Sequence, residues 1–299
     1  MTNDNQPKYT WWPYQALAAR EAELGRRALA LDGWRRVLYE FVRFGLKQAW
    51  ACLFGGLMLA LFIGTFLWYP QDAALARYDF LVLAALAIQA GLLLTRMETL
   101  DEAKIILLYH VTGTLMEVFK THAGSWQYPE HGLLKIAGVP LFSGFMYSCV
   151  GSYIARAWRL FDFTFTRHPS CRVTTAISIA IYVNFFTHHY FHDVRWLILL
   201  LLVPAFGRTW IHFRIHRHYR RMPLLVGFFL VALFIWFAEN ISTATHAWIY
   251  PNQKDSWRMV SFGKLTAWYL LMIISYVMVS WINKPKSYMP LEAKRETPC

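Results

Sequence analysis

The chain has 299 residues, of which 57% are apolar, 17% are aromatic and only 16% are charged. Its apolar residues come in long runs, which is typical of an integral membrane protein and not of a water-soluble domain. The formal charge is +12, but the basic residues lie in short segments between the apolar runs, so this charge does not indicate nucleic-acid binding. The four cysteines, Cys52, Cys149, Cys171 and Cys299, lack the spacing of a zinc site or a disulfide framework.

The N-terminal segment, residues 1–48, is polar and mixed, so it does not read as a cleavable signal peptide. From Tyr14 to Lys47 it alternates Leu, Ala, Tyr and Phe with Glu and Arg at roughly helical spacing. This pattern predicts a basic amphipathic helix on the inner membrane surface. A soluble cap on the helix bundle is the alternative.

Eight apolar runs follow, each close to the roughly 20 residues that a helix requires to cross a bilayer core. They cover residues 49–68, 79–95, 104–120, 134–155, 172–190, 194–213, 222–240 and 263–282. The runs predict an all-α, polytopic membrane protein with about eight transmembrane helices. The third run carries His110, Thr112 and Thr114, which make it amphipathic, so an interfacial helix is the alternative there.

Basic residues predict the orientation, because they prefer the cytoplasmic side in short loops. With the N-terminus inside, 23 of the 30 lysine and arginine residues are cytoplasmic. The other seven are Arg77, Lys120, Lys135, Arg195, Lys254, Arg258 and Lys264. We therefore expect a multi-pass protein of the cell inner (plasma) membrane with both termini cytoplasmic, including a tail at 284–299.

One motif occurs twice, 122 residues apart. Glu117 precedes Trp126 and Tyr128 in Glu-x8-Trp-x-Tyr-Pro, and Glu239 precedes Trp248 and Tyr250 in the second copy. The same offset relates the starts of the first and fifth apolar runs to within a residue or so. Four helices separate the copies, so both have the same orientation. The sequence thus predicts two parallel four-helix repeats, residues 49–160 and 171–283.

The polar residues of three predicted helices converge near the outer leaflet. Glu117 and Glu239 lie near the outer ends of two of these helices, and Asn184 and His188 lie at a similar depth on a third. Asn240 adjoins Glu239. An ionisable group inside a bilayer is costly and is usually paired or functional. The alternatives are that Trp-x-Tyr-Pro is an aromatic membrane anchor, and that Lys120 pairs with Glu117 in a structural ion pair.

Two histidines invite a metal hypothesis. His188 and His192 are four residues apart, on one helical face, and Asp193 follows them. With the two glutamates they would supply nitrogen and oxygen ligands. A polar helix end or a proton-handling site is the alternative.

The fourth predicted helix is rich in small residues. Ser143, Gly144, Ser148, Gly151 and Ser152 follow Pro140, a pattern that favours close helix packing.

The first motif copy, with Gly-Val-Pro-Leu at 138–141, resembles the repeated signature of the membrane lycopene cyclases of the heterodimeric or fused type. The related carotenoid hydratases are similar around Val-Pro-Leu. The cyclases follow that proline with paired carboxylates, whereas Leu141, Phe142, Ser143 and Gly144 stand here. The second copy has no such segment after Pro251.

Over most of residues 50–285 the chain is identified as a member of an uncharacterised family of bacterial integral membrane proteins, domain of unknown function 817. The resemblance is carried by THAGSWQYPEHG, GVPLFSGFMYSCVGSYI, YVNFFTHHYFHDVRW, FAENISTATHAWIYPNQ and Lys264. It implies an integral membrane protein and no particular activity.

Two function classes remain, besides a structural membrane component. In the first, a membrane enzyme acts on an isoprenoid or other lipid near the outer leaflet, with Glu239 or Glu117 protonating an alkene or activating water. Asn240, Asn184 and His188 would orient the acid and substrate, and the aromatic faces of Trp126, Tyr128, Trp248 and Tyr250 would stabilise a carbocation.

The second class is a small-solute or proton-coupled transporter. Membrane lipids are the expected partners in either class. The sequence specifies neither a cofactor nor an oligomeric state.

Overall fold

The computed structural model describes residues 33–216 and 219–289, together with residues 20 and 23. Most of the predicted N-terminal helix and the end of the tail therefore lie outside the described residues. The helices are α1 (Trp34–Ala51), α2 (Leu53–Trp68), α3 (Arg77–Leu94), α4 (Leu100–His122), α5 (Phe142–Phe161), α6 (Cys171–Thr187), α7 (Arg195–Phe206), α8 (Leu224–Ala244) and α9 (Gly263–Ile282). The strands are β1 (Lys135–Ile136), β2 (Val139–Pro140), β3 (Thr164–Thr166), β4 (Trp210–Arg214) and β5 (Tyr219–Pro223).

Three of these helices, α3, α8 and α9, are long and apolar enough to cross a membrane. The count rises to four if α1 and α2, which meet at 69°, form one broken span. The helices α6 and α7 are apolar but shorter. Large apolar side chains point outward along α8, among them Phe229, Phe234 and Phe237. Such an exposed apolar surface is expected in lipid and costly in water.

The predicted amphipathic helix is present in its described part as α1. Trp34, Phe41 and Leu46 are exposed on its apolar face. On the other face, Lys47 donates hydrogen bonds to the carbonyl oxygens of Leu160 and Arg214, at 2.9 and 3.0 Å. The helix is therefore fixed to the bundle through its basic side, and its apolar side is left free to enter a lipid surface.

The helix α9 forms the centre of the bundle and packs against α5, α6 and α8. Residues 272–280 of α9 are all buried. They share one apolar core with Tyr109 of α4, Trp158 of α5 and Phe228 of α8. A second core contains Trp236 of α8 together with Trp126 and Trp248, which lie in the loops after α4 and α8 that carry the two motif copies (the motif loops).

Small residues bring α4 and α5 into close contact, as the sequence predicts for α5. A Cβ atom at Gly113 would lie 2.6 Å from Cγ of Tyr147, and one at Gly151 would lie 2.7 Å from Cδ2 of Tyr109. Ser148 donates a hydrogen bond across the contact to the carbonyl oxygen of Ile106, at 2.8 Å. This packing sets the position of Tyr147 relative to Glu117 on α4.

A buried ion pair ties the turn between α3 and α4 to α5. Arg156 and Glu98 have fully buried side chains with 2.5 Å between the guanidinium nitrogen and the carboxylate oxygen. Ser152 donates to the same oxygen at 2.9 Å, and Gln89 donates to the other at 2.5 Å. Removing one partner of such a pair leaves the other charge buried without a counter-ion, which is strongly destabilising.

The all-α prediction is incomplete, because two short sheets are present. The strands β3, β4 and β5 form an antiparallel sheet, with β4 in the middle. The run predicted as a helix over 194–213 is wrong at its end, since α7 stops at Phe206 and β4 begins at Trp210. The run predicted over 134–155 is wrong at its start, since β1 and β2 form a hairpin there. Ala137 and Gly138, its two turn residues, both have positive φ, as a two-residue hairpin requires.

Candidate functional site

Both motif glutamates are buried, and each is held by neutral donors. Glu117 accepts hydrogen bonds at Oε2 from Nε1 of Trp126 (2.6 Å) and the hydroxyl of Tyr128 (2.7 Å). The hydroxyl of Tyr147 donates to Oε1 at 2.9 Å. The tryptophan and tyrosine of the first motif copy therefore hydrogen-bond to the acid and are more than membrane anchors.

The second copy holds Glu239 in a similar way. The hydroxyl of Tyr250 donates to Oε1, and Nε1 of Trp268 on α9 donates to Oε2 at 2.6 Å. Trp248 is buried beside them, and it lines one large cavity together with Glu239. The motif tyrosine thus binds its own glutamate in both copies, while the tryptophan partner comes from α9 in the second.

The two motif loops leave their helices by the same backbone turn. After α4, Gly124 has φ 72° and the amide of Ser125 donates to the carbonyl oxygen of Lys120. After α8, His246 has φ 56° and the amide of Ala247 donates to the carbonyl oxygen of Ser242. This is the Schellman pattern of a helix C-terminus. Each residue of the second turn lies 122 positions after its counterpart.

The loops then meet each other directly. Gln127 and Ile249, the central residues of the two Trp-x-Tyr segments, exchange backbone hydrogen bonds of 2.9 and 3.0 Å. The rings of Trp126 and Tyr250 pack edge to face, with 6.0 Å between their centroids. One joined pair of loops therefore carries Trp126 and Tyr128, which bind Glu117, and Tyr250, which binds Glu239.

A large cavity of about 1150 Å³ contains both acids at one end. Its lining is mainly apolar and includes Met58, Leu59 and Phe62 of α2 and Val231 of α8. This volume exceeds the usual 300–1,000 Å³ of small-molecule sites. The cavity extends as far as Phe41 of α1.

The groups outside the helices keep defined protonation states. Burial raises the pKa of the Tyr128 and Tyr250 hydroxyls well above the usual range, and the glutamate bound by each raises it further when ionised, so both hydroxyls remain donors. Burial, and then the charge of Lys120, lowers the pKa of His189. Its imidazole is therefore neutral at pH 7 and accepts a hydrogen bond from Nζ of Lys120 at 2.8 Å.

The family model described as "Protein of unknown function (DUF817)" matches residues 40–276. The chain belongs to this family. It is also similar to the uncharacterized protein YoaT of Bacillus subtilis (strain 168), with 41% identity over 262 residues, which covers 87% of this chain and 98% of that protein. No solved structure matches the chain. These comparisons lend no support to the cyclase resemblance, which rests on the motif alone.

Cationic groups surround the acid end of the cavity in this DUF817 protein. Lys120, Arg195 and Lys264 line it together with His188 and His189. Nζ of Lys264 lies 4.4 Å from the ring centre of Tyr250 and 5.2 Å from that of Trp126. The ion pair between Lys120 and Glu117, which was the structural alternative for this acid, does not form. Lys120 binds His189, His188 and the carbonyl oxygen of Phe185 instead.

Asn240 and Asn184, which were predicted to orient the acid and substrate, form hydrogen bonds to loop segments and not to either glutamate. Asn240 donates to the carbonyl oxygen of Trp236 and accepts from the amide of Val260, at 2.8 and 2.9 Å. Asn184 lines the cavity, but its side chain donates to Asp193 and accepts from the amide of Val194. Their hydrogen-bonding groups are thus used in fixing the segments after α8 and α6.

The predicted metal set has no common centre. His188 bonds through Nδ1 to the carbonyl oxygen of Asn184, and Asp193 pairs with Arg195 at 2.6 Å. His192 is exposed. Within residues 33–216 and 219–289, no cluster of three or more His, Cys, Asp or Glu side chains is arranged to hold a metal ion.

Three site residues were not predicted to act here: Tyr147, Trp268 and Lys264. Tyr147 lies 30 residues after Glu117 and Trp268 lies 29 residues after Glu239. The second spacing departs from the repeat by one residue, which hides the correspondence. Lys264 stands alone at the start of an apolar run, and an unpaired charge at that position was the available signal.

Proposed function

We propose that this protein is a membrane enzyme that uses acid chemistry on an isoprenoid or other lipid near the outer leaflet. The observation that carries the proposal is that Glu117 and Glu239 share the polar end of one large, mainly apolar cavity. An apolar chain fits the lining, and the acids then meet the substrate where water is scarce.

Glu239 is the better candidate for the proton donor. It accepts hydrogen bonds from two side chains, whereas Glu117 accepts from three, so Glu239 retains more free lone-pair capacity. In the proposed step its O–H bond breaks, a C–H bond forms, and the alkene becomes a carbocation. The carboxylate left behind and the faces of Trp126 and Trp248 stabilise that charge. Loss of a proton from a neighbouring carbon, or addition of water, completes the reaction.

One feature favours a second candidate, a proton-coupled transporter. The cavity reaches Phe41 and Gln48 of α1 as well as Lys264 at the start of α9, so it extends along much of the bundle. Paired acids at one end are also suited to proton relay. The apolar lining fits an amphiphilic solute better than a small polar one. A structural membrane component is the remaining alternative, and a cavity of this size does not favour it.

For the architecture, we propose that α2 to α9 each cross the membrane once. Residues that bond to each other at helix ends lie on one side, so an even number of crossings separates them. The amides of Leu133 and Leu134 donate to Asp79, at 2.8 Å each. Only α3 and α4 lie between these residues, and α3 is long enough to cross. This contact therefore supports a crossing by α4.

Further contacts extend the same argument. The bond between Lys120 and His189 requires that α5 and α6 either both cross or both do not. The bond between Phe165 and Tyr288 requires the same of α6 and α7, because α8 and α9, which also lie between these residues, are long enough to cross. The Gln127 to Ile249 bonds then need an odd number of crossings among α5, α6 and α7. Since α5, α6 and α7 must behave alike and an odd number of them must cross, all three cross.

The last step concerns α2 and the two ends. The bond from Lys47 to Leu160 spans α2 to α5, which adds α2 to the crossing helices. It also puts α1 on the side of β3, with which the segment at 286–288 pairs. This supports two parallel four-helix repeats at 49–160 and 171–283 with both described ends on one side, which the basic residues favour as the cytoplasmic side.

The enzyme proposal is tested by untargeted mass spectrometry of lipids and isoprenoids. Cells that lack the protein are complemented with the wild type, with Glu117→Gln/Glu239→Gln, or with Asp101→Asn at matched membrane abundance. Asp101 is an exposed acid outside the cavity and serves as the control. We expect one lipid class to change with the wild type and the control and not with the double variant. Coinciding lipid profiles in all strains contradict the enzyme proposal.

A further inference from the structure

The acid end of the cavity contains three cationic side chains. Lys120, Arg195 and Lys264 come from α4, α7 and α9 and line this one end. Arg195 is paired with Asp193 at 2.6 Å. Within the described part of the chain, neither lysine amine lies within 4 Å of a carboxylate.

The glutamates do not neutralise the lysines by direct contact. Every hydrogen bond described above to Glu117 and Glu239 comes from a tyrosine hydroxyl or a tryptophan N–H. Lys264 lies instead over the faces of Tyr250 and Trp126, which present a partial negative charge to the amine and leave its protons free. Nζ of Lys120 has three hydrogen-bond partners, Nε2 of His189 at 2.8 Å, the carbonyl oxygen of Phe185 at 3.1 Å and Nε2 of His188 at 3.4 Å, and none of them is a carboxylate.

We propose that this end of the cavity binds the phosphate headgroup of an amphiphile whose apolar chain fills the remainder. Two ammonium groups and a guanidinium suit an oxyanion with several oxygens and more than one charge, which favours phosphate over carboxylate. The chain is accommodated by the apolar lining, which continues past Met58 and Leu59. This inference rests on the proposed function for its lipid substrate and adds that the substrate is a lipid phosphate.

The cationic groups and the two glutamates lie at the same end of the cavity, so a bound headgroup would place the substrate chain beside the acids. A headgroup held between Lys120 and Lys264 fixes one end of the substrate, and the first part of its chain then lies beside Glu117 and Glu239. The acids act on that part of the chain. The headgroup thereby orients the substrate, as remote binding groups do in other enzymes.

The test uses the full chain, purified in detergent and titrated with dodecyl phosphate, dodecanol or inorganic phosphate, with bound ligand counted by native mass spectrometry. We expect dodecyl phosphate to bind more tightly than the other two. Lys120→Gln/Lys264→Gln should weaken its binding on the order of tenfold or more. Lys104→Gln, which removes an exposed lysine outside the cavity, should have no effect.

A charge-conserving double variant, Lys120→Arg/Lys264→Arg, separates a headgroup contact from a folding defect. It should retain dodecyl phosphate binding. The proposal is overturned if dodecanol binds as tightly as dodecyl phosphate, or if the Arg variant loses binding as fully as the Gln variant. Equally tight binding of inorganic phosphate would identify free phosphate as the ligand and overturn the lipid source.

The inference and the proposed function fail separately. Glu117→Gln/Glu239→Gln leaves the lysines in place and should still bind dodecyl phosphate. If that variant binds the probe while no lipid profile depends on the glutamates, acid chemistry is excluded and the headgroup site stands. If the lipid profile depends on the glutamates but no variant or wild type binds the probe, the enzyme stands without a phosphate headgroup.

Discussion

At the residue scale, the left-handed turns at Gly124 and His246 decide how the two motif loops leave their helices. Only glycine adopts this conformation without strain. No atom lies within 4 Å of a Cβ built at Gly124, so a substitution there changes backbone strain alone. We expect Gly124→Ala to lower the free energy of unfolding by about 1–2 kcal/mol.

His246→Ala is the matched control, because it exchanges one residue with a Cβ for another at the equivalent position. It removes only the ring contact with Phe66, at 5.6 Å between centroids. Its effect on the midpoint of thermal unfolding in detergent should be smaller than that of Gly124→Ala. Equal effects of the two variants would contradict the assignment of the strain to the turn at residue 124.

The sequence indicates the acids well and their partners poorly. Glu117, Glu239 and the motif tyrosines are visible because they recur at a fixed spacing and because acids are rare in apolar runs. Tyr147 and Trp268 are not visible, because an aromatic residue inside a helix gives no sign of the direction of its polar group. Asn240 shows the reverse error: it adjoins Glu239 in the chain, but its side chain points to the backbone of Val260.

At the element scale, the three-stranded sheet carries the C-terminal segment on its edge. The amide of Phe165 donates to the carbonyl oxygen of Lys286, and the amide of Tyr288 donates to that of Phe165, at 2.8 and 2.9 Å. The ring of Tyr288 stacks on His212 of β4 with centroids 3.8 Å apart. His212 also bonds to the hydroxyl of Thr166 at 2.7 Å.

Burial, and then the charge of Arg221, lowers the pKa of His212 below its usual value. Undocking removes the Tyr288 ring that stacks on His212 and with it part of this burial, so the undocked chain takes up a proton at a pH closer to about 6.5, the value of a free imidazole, than the docked state does. Docking is fully stable above that pH and loses stability as the pH falls through the lowered pKa.

Hydrogen exchange measures this docking. We expect the Tyr288 amide to lose protection below about pH 6.5, after correction for the intrinsic exchange rate. His212→Gln should abolish the pH dependence, whereas His131→Gln, at an exposed loop position, should leave it unchanged. Protection that stays constant across this range in the wild type would refute the coupling.

The helices were easier to predict than the strands for a physical reason. A run of about 20 apolar residues is demanded by the bilayer and is therefore visible in composition. The strand β5 has the sequence Tyr-Arg-Arg-Met-Pro, and its pairing with β4 depends on contacts between segments. The break between α1 and α2 at Cys52 lies close to residue 49, where the sequence changes from an amphipathic to an apolar pattern, so composition does mark it.

At the scale of the whole molecule, charge and contacts group the same segments on one face by independent routes. The basic residues favour a cytoplasmic location for the loops after α5 and α7 and for the tail. The structure brings these segments together, since β3 follows α5, β4 and β5 follow α7, and residues 286–288 pair with β3. On the other face, the motif loops join α4 to α8. The proposed orientation, with both termini inside, is consistent with both observations.

Cysteine labelling in oriented membrane vesicles tests this arrangement. In a background with the native cysteines replaced, single cysteines are introduced at Asp72, His131, Lys254, Arg167 and Lys284, all in exposed loop or tail positions. If α2 to α9 all cross, the first three react only with reagent outside and the last two only with reagent inside.

His131 decides between the alternatives. If only α3, α8, α9 and the bent pair of α1 and α2 crossed, His131 would be inside while Lys254 stayed outside. The backbone bonds between Gln127 and Ile249 make that outcome costly, because the segments that carry these two residues would have to separate and break both hydrogen bonds. We therefore expect His131 and Lys254 to react from the same side, and labelling from opposite sides would overturn both the crossing pattern and the joined pair of loops that holds the acids.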